Sequence, residues 1–587
     1  MYMDGVDFMP AHRGVLFGYH FKSIAAAGPI VGVITAANIW GWLPSILWLI
    51  LGVSFIGWAA DYSAVMLSVR NDGNSLSAIS YKLIAPRTRT ILFVFIFFYL
   101  LLVAAAFLGI MTALMSARPD VPLGILVLAI MGLLGGQMLY RWKMDLFLMT
   151  AIVVIVTIVA MLLGPVGQAF NAQGAITAQG PVGNVVLAIN SAVDSISGGK
   201  GIMTTVDPTK SDPRLTNPKL ADAKTGLIQT MPNYLLWALF LLVFSYLGAN
   251  LPIWRFAQPV NYIGFWVMLI TIVLSAIGAL LAPFTAPKVA AFSLAAWKGF
   301  SPPQAAVADG IVPIQPLWPM LFVTIACGAI SGWHSLIGSV GTARQLEYET
   351  DGLPVGGGAM FGENALALLS LTAVSIAGGA GAGAFAAGVG KLINVVTFGA
   401  VPIPLGTALG FGSFMVIVLT VVQLVFRIMR VTLSEWVGET VPAVRNMHVS
   451  TIISMVLTLI FVLSGTWVYL WQLFGASNQL MAALSLLVVT VWLKSENRNP
   501  AYALWPMLFM YITTIVSTVI TAYNLYVNIV VNPATNTQFI SVAGAWAMIV
   551  VAILLIVAAL FIGWDGLKAY RRYRTLPVTP IAASAGK

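Results

Sequence analysis

Cysteine occurs once in 587 residues, at Cys327, so no disulfide forms within the chain and thiols carry no information about its redox compartment. Charge is equally scarce. Only 8% of residues are Asp, Glu, Lys or Arg, too few to cover a soluble globular surface or to keep a disordered chain solvated. The four histidines, His12, His20, His334 and His448, lack ligand spacing, so no metal site is expected. No phosphate-cradling G-x-x-x-x-G-K-[ST] loop is present, which argues against ATP-driven pumping within the chain, and no catalytic constellation points to an enzyme. Asp4 and Asp7 stand where a signal peptide would be basic, so the first helix is expected to serve as its own insertion signal.

What is abundant is apolar. Hydrophobic residues make up 59% of the chain and the mean hydropathy is +0.94. The apolar runs extend about 20 residues without a charge, enough to cross roughly 30 Å of hydrocarbon as helices, whereas barrel strands would alternate over about 10 residues. The expected class is an all-α polytopic membrane protein embedded in a lipid bilayer. Runs and breakers place about 14 transmembrane helices near 22–39, 43–69, 89–117, 121–140, 144–165, 232–250, 261–283, 317–341, 361–378, 401–428, 449–468, 471–493, 502–528 and 541–565. With the N-terminus inside, twenty of the 29 basic residues fall in inner segments, and five of the other nine fall in one long outer loop. The net charge of +10 is therefore topological, both termini are expected to be cytoplasmic, and no nucleic-acid partner is expected.

Two of these segments interrupt themselves. One opens the chain, with Gly28-Pro29-Ile30 in the middle of an apolar run. The other breaks at Ser331-Gly332 and then presents His334 and Ser335. Hydrocarbon leaves every unpaired backbone group costing several kcal/mol, so such breaks must face protein, water or a ligand. The half-helix after each break aims free N–H groups at whatever sits there, which suits a carboxylate. Gly28, Pro29, Ile30, Ser331, Gly332, His334 and Ser335 are thus the candidate substrate-binding residues, the alternative being ordinary kinks in packed helices. Asp61, inside the second span, and Glu363, at the start of the ninth near Arg344, are candidate coupling or gating residues because an intramembrane carboxylate is costly. Tyr234, Trp237, Tyr246, Trp254 and Tyr262 read as interfacial belts.

The segment order suggests an inverted repeat, each unit opening with a broken helix and carrying its longest helix third. The expected division is a first five-helix unit over 1–165, an outer loop over 166–231, two accessory helices over 232–283, an outer loop over 284–316, a second unit over 317–493, two helices over 494–565 and a cytoplasmic tail over 566–587. The Gly/Ala-rich run 377–390 reads as a loop or re-entrant piece.

Several blocks together resemble the carbon starvation (CstA) family of membrane transporters: Ala27-Gly28-Pro29-Ile30-Val31-Gly32, Gly41-Trp42-Leu43-Pro44, Ser68-Val69-Arg70-Asn71-Asp72-Gly73-Asn74, Leu251-Pro252-Ile253-Trp254, Phe322 through Gly332, Gly357-Gly358-Ala359-Met360 with Glu363, and Gly475-Ala476-Ser477-Asn478-Gln479-Leu480. The resemblance spans about residues 19 to 493. It implies a LeuT-type 5+5 inverted-repeat core in a bacterial cytoplasmic (inner) membrane, and uptake of small nutrients such as pyruvate or peptides coupled to a proton or cation (H+ or Na+) gradient, with no cofactor. It also implies that Thr420 and Gln423 face the first helix near a cation position. The pattern differs at Val260-Asn261, where relatives carry Arg-Asp, and at Gln423, where they carry a carboxylate. A nutrient sensor, a channel-like facilitator and a haem-carrying subunit are the rival readings. The last needs paired axial ligands that the scattered histidines do not supply.

Overall fold

The computed structural model describes residues 3–171, 176–198, 203–204, 229–303, 311–463, 467–531 and 542–574. Its first half contains α1 (Arg13–Ile24), α2 (Gly28–Trp40), α3 (Trp42–Val69), α4 (Leu76–Leu83), α5 (Pro86–Ala117), α6 (Pro122–Arg141), α7 (Leu146–Leu163), α8 (Pro181–Ser195), α9 (Pro232–Asn250) and α10 (Ala257–Thr285). The second half contains α11 (Leu317–Thr324), α12 (Gly332–Leu336, prolonged by a π turn Ile337–Thr342), α13 (Glu349–Ala377), α14 (Gly381–Val396), α15 (Ile403–Val437), α16 (Met447–Leu463), α17 (Trp467–Ser495), α18 (Ala501–Val531) and α19 (Val542–Arg574). Two short antiparallel pairs, Ala169–Phe170 with Ile176–Ala178 and Met203–Thr204 with Gln229–Thr230, accompany α8.

Eleven helices among the described residues are long and apolar enough to cross a membrane singly, and α1 with α2 forms one more span bent by 52°. The protein is thus an all-α, multi-pass membrane protein with discontinuous helices. Among the described residues the count of fourteen full-length spans is not reached: the segment 317–342 is broken, and α16 is described over 17 residues as far as Leu463. The basic residues at 210, 214, 219, 224 and 587, and most of the 566–587 tail, lie outside the described residues.

Helix ends follow local chemistry. Asp145 caps α7 by accepting from Phe147 N and Leu148 N at 2.9 and 3.0 Å, and Pro86 starts α5 where a missing N–H costs nothing. The long helices α5 and α15 pack on each other and, with α17, form the buried centre. In contrast, α7 turns Phe147, Ile155, Val159 and Leu163 outward, the apolar face that lipid requires.

Three expectations need correction. The first helix starts at Arg13, not at residue 22, so His20 and Lys22 lie within it and are fully buried. Arg427 and Arg430, counted among the inner-loop charges, are also buried, inside α15. Residues 381–396 form a helix rather than a loop. Its small residues let α14 back directly onto its neighbours, Gly388 against Ala373 and Gly390 against Thr407, which is what glycine stripes accomplish between membrane helices.

A strap precedes α1. Asp4 Oδ1 accepts from the N–H groups of Val6, Asp7 and Phe8, Val6 O accepts from Ile253 N at 2.9 Å, and Ala11 N donates to Gln345 O at 3.0 Å. Asp7 pairs with Arg427 and, at 3.4 Å, with Arg430. Both guanidinium groups also donate to carbonyls at the end of α9, Gly248 at 3.0 Å and Ala249 at 2.8 Å. Burial alone would raise the Asp7 carboxyl, but Arg427, Arg430 and Arg344 outweigh it and hold it below the usual 3.8.

Candidate functional site

The two interruptions meet. α1 ends at Ile24 because Ala25 turns extended (φ −68°, ψ 110°), and Pro29 in the first turn of α2 has no N–H to give upstream. Two carbonyls freed by that ending take side-chain donors: Ala25 O accepts from Lys22 Nζ at 2.9 Å, and Ser23 O from the Trp333 indole at 2.7 Å. Trp333 belongs to α12, so the first break is bonded directly to the second.

The second break runs from Ile325 to Ser331, with Gly328 at φ +66°, a conformation that favours glycine. Here side-chain amides replace the helical ladder. Asn364 Nδ2 donates to Gly328 O at 2.6 Å, while Asn478 Nδ2 and Gln479 Nε2 both donate to Ala326 O at 3.0 Å. Asn478 Oδ1 accepts from Trp333 N at 3.1 Å, Ser331 Oγ at 3.2 Å and Tyr99 Oη at 2.7 Å. Gly28 sits against Cys327 so closely that a Cβ there would come within 2.9 Å of the cysteine Cβ. At both breaks, side chains thus bond backbone groups that the helical ladder leaves free, as irregular chain at membrane depth requires.

Below this junction lies a buried ionisable set. His334 Nδ1 is 2.8 Å from Asp61 Oδ2 on α3, and His334 Nε2 is 2.9 Å from Glu363 Oε2 on α13. All three side chains are at most 1% exposed. Asp61 Oδ1 and both Glu363 carboxylate oxygens make no hydrogen bond among the described residues, so Glu363 meets His334 Nε2 as an ion-pair contact. One imidazole bridging two carboxylates can hold a proton on either nitrogen and hand it to either side. Lys22, fully buried on α1, acts electrostatically on Glu363. Two carboxylates with a protonated imidazole and an ammonium sum to zero, so losing or gaining one proton leaves a net charge in a medium that penalises it heavily.

The structure brings Gly28, Pro29, Ile30, Ser331, Gly332, His334, Ser335, Asp61 and Glu363 around one junction, and all of them are buried. Glu363 differs from its expected setting. Its helix begins at Glu349 and runs through the glycine-rich turn Leu353–Gly357, so Glu363 lies halfway along α13 and faces His334, while Arg344 Nε donates to Gly73 O at 3.0 Å instead. Thr420 bonds only its own helix, to Val416 O at 2.8 Å, and Gln423 turns its amide against Gly248 of α9, with neither amide atom bonded among the described residues. These two do not join the His334 set. Sequence reasoning overlooked Lys22, Trp333, Asn364, Asn478 and Gln479. The last two were visible as part of a shared motif, but nothing in the motif said that they close a broken helix.

A sequence profile described as Carbon starvation protein CstA matches residues 1–196, 219–379 and 374–517. The chain is 28% identical over 377 residues to the Peptide transporter CstA of Campylobacter jejuni, covering 64% of this chain and 44% of that protein. It is 30% identical over 375 residues to the Pyruvate/proton symporter BtsT of Escherichia coli, covering 64% and 43%. It is 25% identical over 604 residues to the Peptide transporter CstA of Bacillus subtilis, covering 95% and 89%. The match thus spans less than half the length of the first two relatives. Among solved structures, MhsT in complex with L-phenylalanine aligns over 95% of this chain and 99% of its own, with 11% identity and a TM-score of 0.44.

Proposed function

Since the chain belongs to the carbon starvation protein CstA family, we propose that it is a secondary transporter carrying a small carboxylate nutrient, pyruvate-like or a short peptide, in symport with protons. The observation that carries this reading is His334 held between Asp61 and Glu363 directly beside the two breaks. Relatives named a peptide transporter and a pyruvate/proton symporter support the substrate class. In this reading the broken helices belong to two inverted five-helix units of a LeuT-type core, 1–165 and 317–493, in a bacterial cytoplasmic membrane with both termini inside. Substrate binds at Gly28-Pro29-Ile30 and Ser331-Gly332, and protonation of the His334 set permits the half-helices to part first on one side and then on the other. Each net positive charge moved inward draws about 2.3 kcal/mol per 100 mV from the membrane potential, about fifty-fold accumulation, whereas a carboxylate crossing with a single proton moves no net charge and is driven by the pH gradient alone.

The test is uptake of labelled pyruvate or dipeptide into proteoliposomes. An imposed pH gradient is expected to drive accumulation, and counterflow is expected without a gradient. Accumulation is expected to fall by about tenfold in Asp61→Asn and His334→Gln with assembly intact. Conduction without counterflow would instead identify a channel, and specific binding without flux a sensor.

A further inference from the structure

Lys22 is fully buried, at 0% exposure. Its ammonium donates to Ala25 O at the frayed end of α1 at 2.9 Å and to Ile417 O of α15 at 2.8 Å. Ile417 is well inside α15, and its carbonyl accepts the lysine in addition to belonging to a continuous helix. Carbonyls at the C-terminal end of a broken half-helix carry the negative end of its dipole and are natural cation ligands within membranes. We propose that the Lys22 ammonium is a resident cation, filling the place between α1 and α15 where those carbonyls would otherwise collect a metal ion, so that this amine acts with the His334 set in proton coupling and no sodium is needed. The proposal rests on the transporter reading for its consequence, but the cation assignment stands on the two carbonyl contacts.

The surroundings agree. Among the described residues, the charge that acts on the ammonium is Glu363 on α13, itself tied to His334 on α12 and through it to Asp61 on α3. Gly264 of α10 lies against the aliphatic stem and brings no charge, and α15 offers a carbonyl. On α1 itself, His20 points elsewhere, with Nδ1 2.7 Å from Thr342 Oγ1. The tether is short, since Lys22 and Ala25 are three residues apart, so the ammonium cannot leave as a metal ion would. What leaves is the proton: Nζ passes it to water on the side that has opened and becomes a neutral amine. The charge-assisted bonds to Ala25 O and Ile417 O then weaken, freeing α1 to move from α15.

Two measurements test this on the full chain. The first compares the unfolding midpoint of purified protein in sodium chloride and in choline chloride of equal ionic strength. The wild type is expected to be indifferent, whereas Lys22→Ala, which frees both carbonyls, is expected to gain about 3 °C with sodium. A comparable sodium shift in the wild type, or none in folded Lys22→Ala, overturns the assignment. The second uses Lys22→Met, which keeps the stem, in proteoliposomes with labelled pyruvate or dialanine. Accumulation driven by a pH gradient is expected to fall by about tenfold, and counterflow is expected to lose the pH dependence that the wild type shows. Accumulation at the wild-type level overturns the coupling role. If the wild type itself shows no counterflow with either probe, the transporter reading fails, and the sodium response alone then decides for or against the resident cation.

Discussion

Asn478 Oδ1 accepts from both the Tyr99 hydroxyl, at 2.7 Å, and the Trp333 backbone N–H, at 3.1 Å, so that a single amide on α17 fastens the start of α12 to α5. Its other end holds Ala326 O at 3.0 Å. Replacing it by alanine strands the buried Tyr99 hydroxyl and the Trp333 N–H at once, whereas Ala326 O keeps its bond from Gln479. Each stranded group costs about 1–3 kcal/mol when water cannot reach it. Asn478→Ala is therefore expected to destabilise the protein by about 3 kcal/mol or more, read as a lowered unfolding midpoint in detergent. Asn478→Asp, which keeps the acceptor and loses the donor, should fall between the two.

His334 offers a way to separate charge from shape. Glutamine at this position can still bond Asp61 and Glu363 but cannot carry a proton between them. His334→Gln is expected to retain counterflow and to lose pH-driven accumulation by about tenfold. His334→Ala leaves two carboxylates facing an empty space and should in addition lower stability, by about 3–5 kcal/mol if both remain charged. Transport assays paired with thermal unfolding distinguish the two variants.

Gly28 and Cys327 form a contact across the breaks that a methyl group would invade. Gly28→Ala puts a Cβ within 2.9 Å of the cysteine Cβ. Neither element can retreat, because each is bonded to the other through Trp333 and Ser23. The expected result is a loss of transport and of about 1–3 kcal/mol in stability from overpacking. Combining it with Cys327→Gly should return part of both, and a double-mutant cycle measures the coupling.

The strap before α1 predicts a pH dependence. The Asp7 carboxyl is depressed in the folded protein, so its contribution is complete above the ordinary value of 3.8 and is lost as pH falls through the lower, folded value. Asp7→Asn leaves Arg427 buried beside carbonyls alone and is expected to cost about 3 kcal/mol near neutral pH. The difference between wild type and Asp7→Asn should stay constant from about pH 7 to about pH 5 and shrink below about pH 4, measured by denaturant titration at each pH.

Much of this architecture was legible because hydrocarbon demands long uncharged runs, and because Pro29 and Ser331-Gly332 are conspicuous inside them. The misreadings share one physical origin: composition does not reveal where a polar group finds its partner. Lys22 reads as the charged end of a span, whereas two carbonyls let it sit in the core. The run 377–390 reads as flexible, whereas close neighbours turn its glycines into a packing surface. Glu363 reads as the start of the ninth helix near Arg344, yet that helix begins at Glu349, runs through the π turn Leu353–Gly357 and carries the carboxylate inward to His334. Asp61 and His334 were both suspected, but their meeting across α3 and α12 is a fact of three dimensions.

The indole of Trp333 bonds Ser23 O across the two interruptions. A crossbar of that kind turns two hinges into one. In the proposed transport cycle, swinging the first half-span alone would break this buried bond at a cost of about 1–3 kcal/mol, so forms with only one half-span displaced, and leakage through them, are disfavoured.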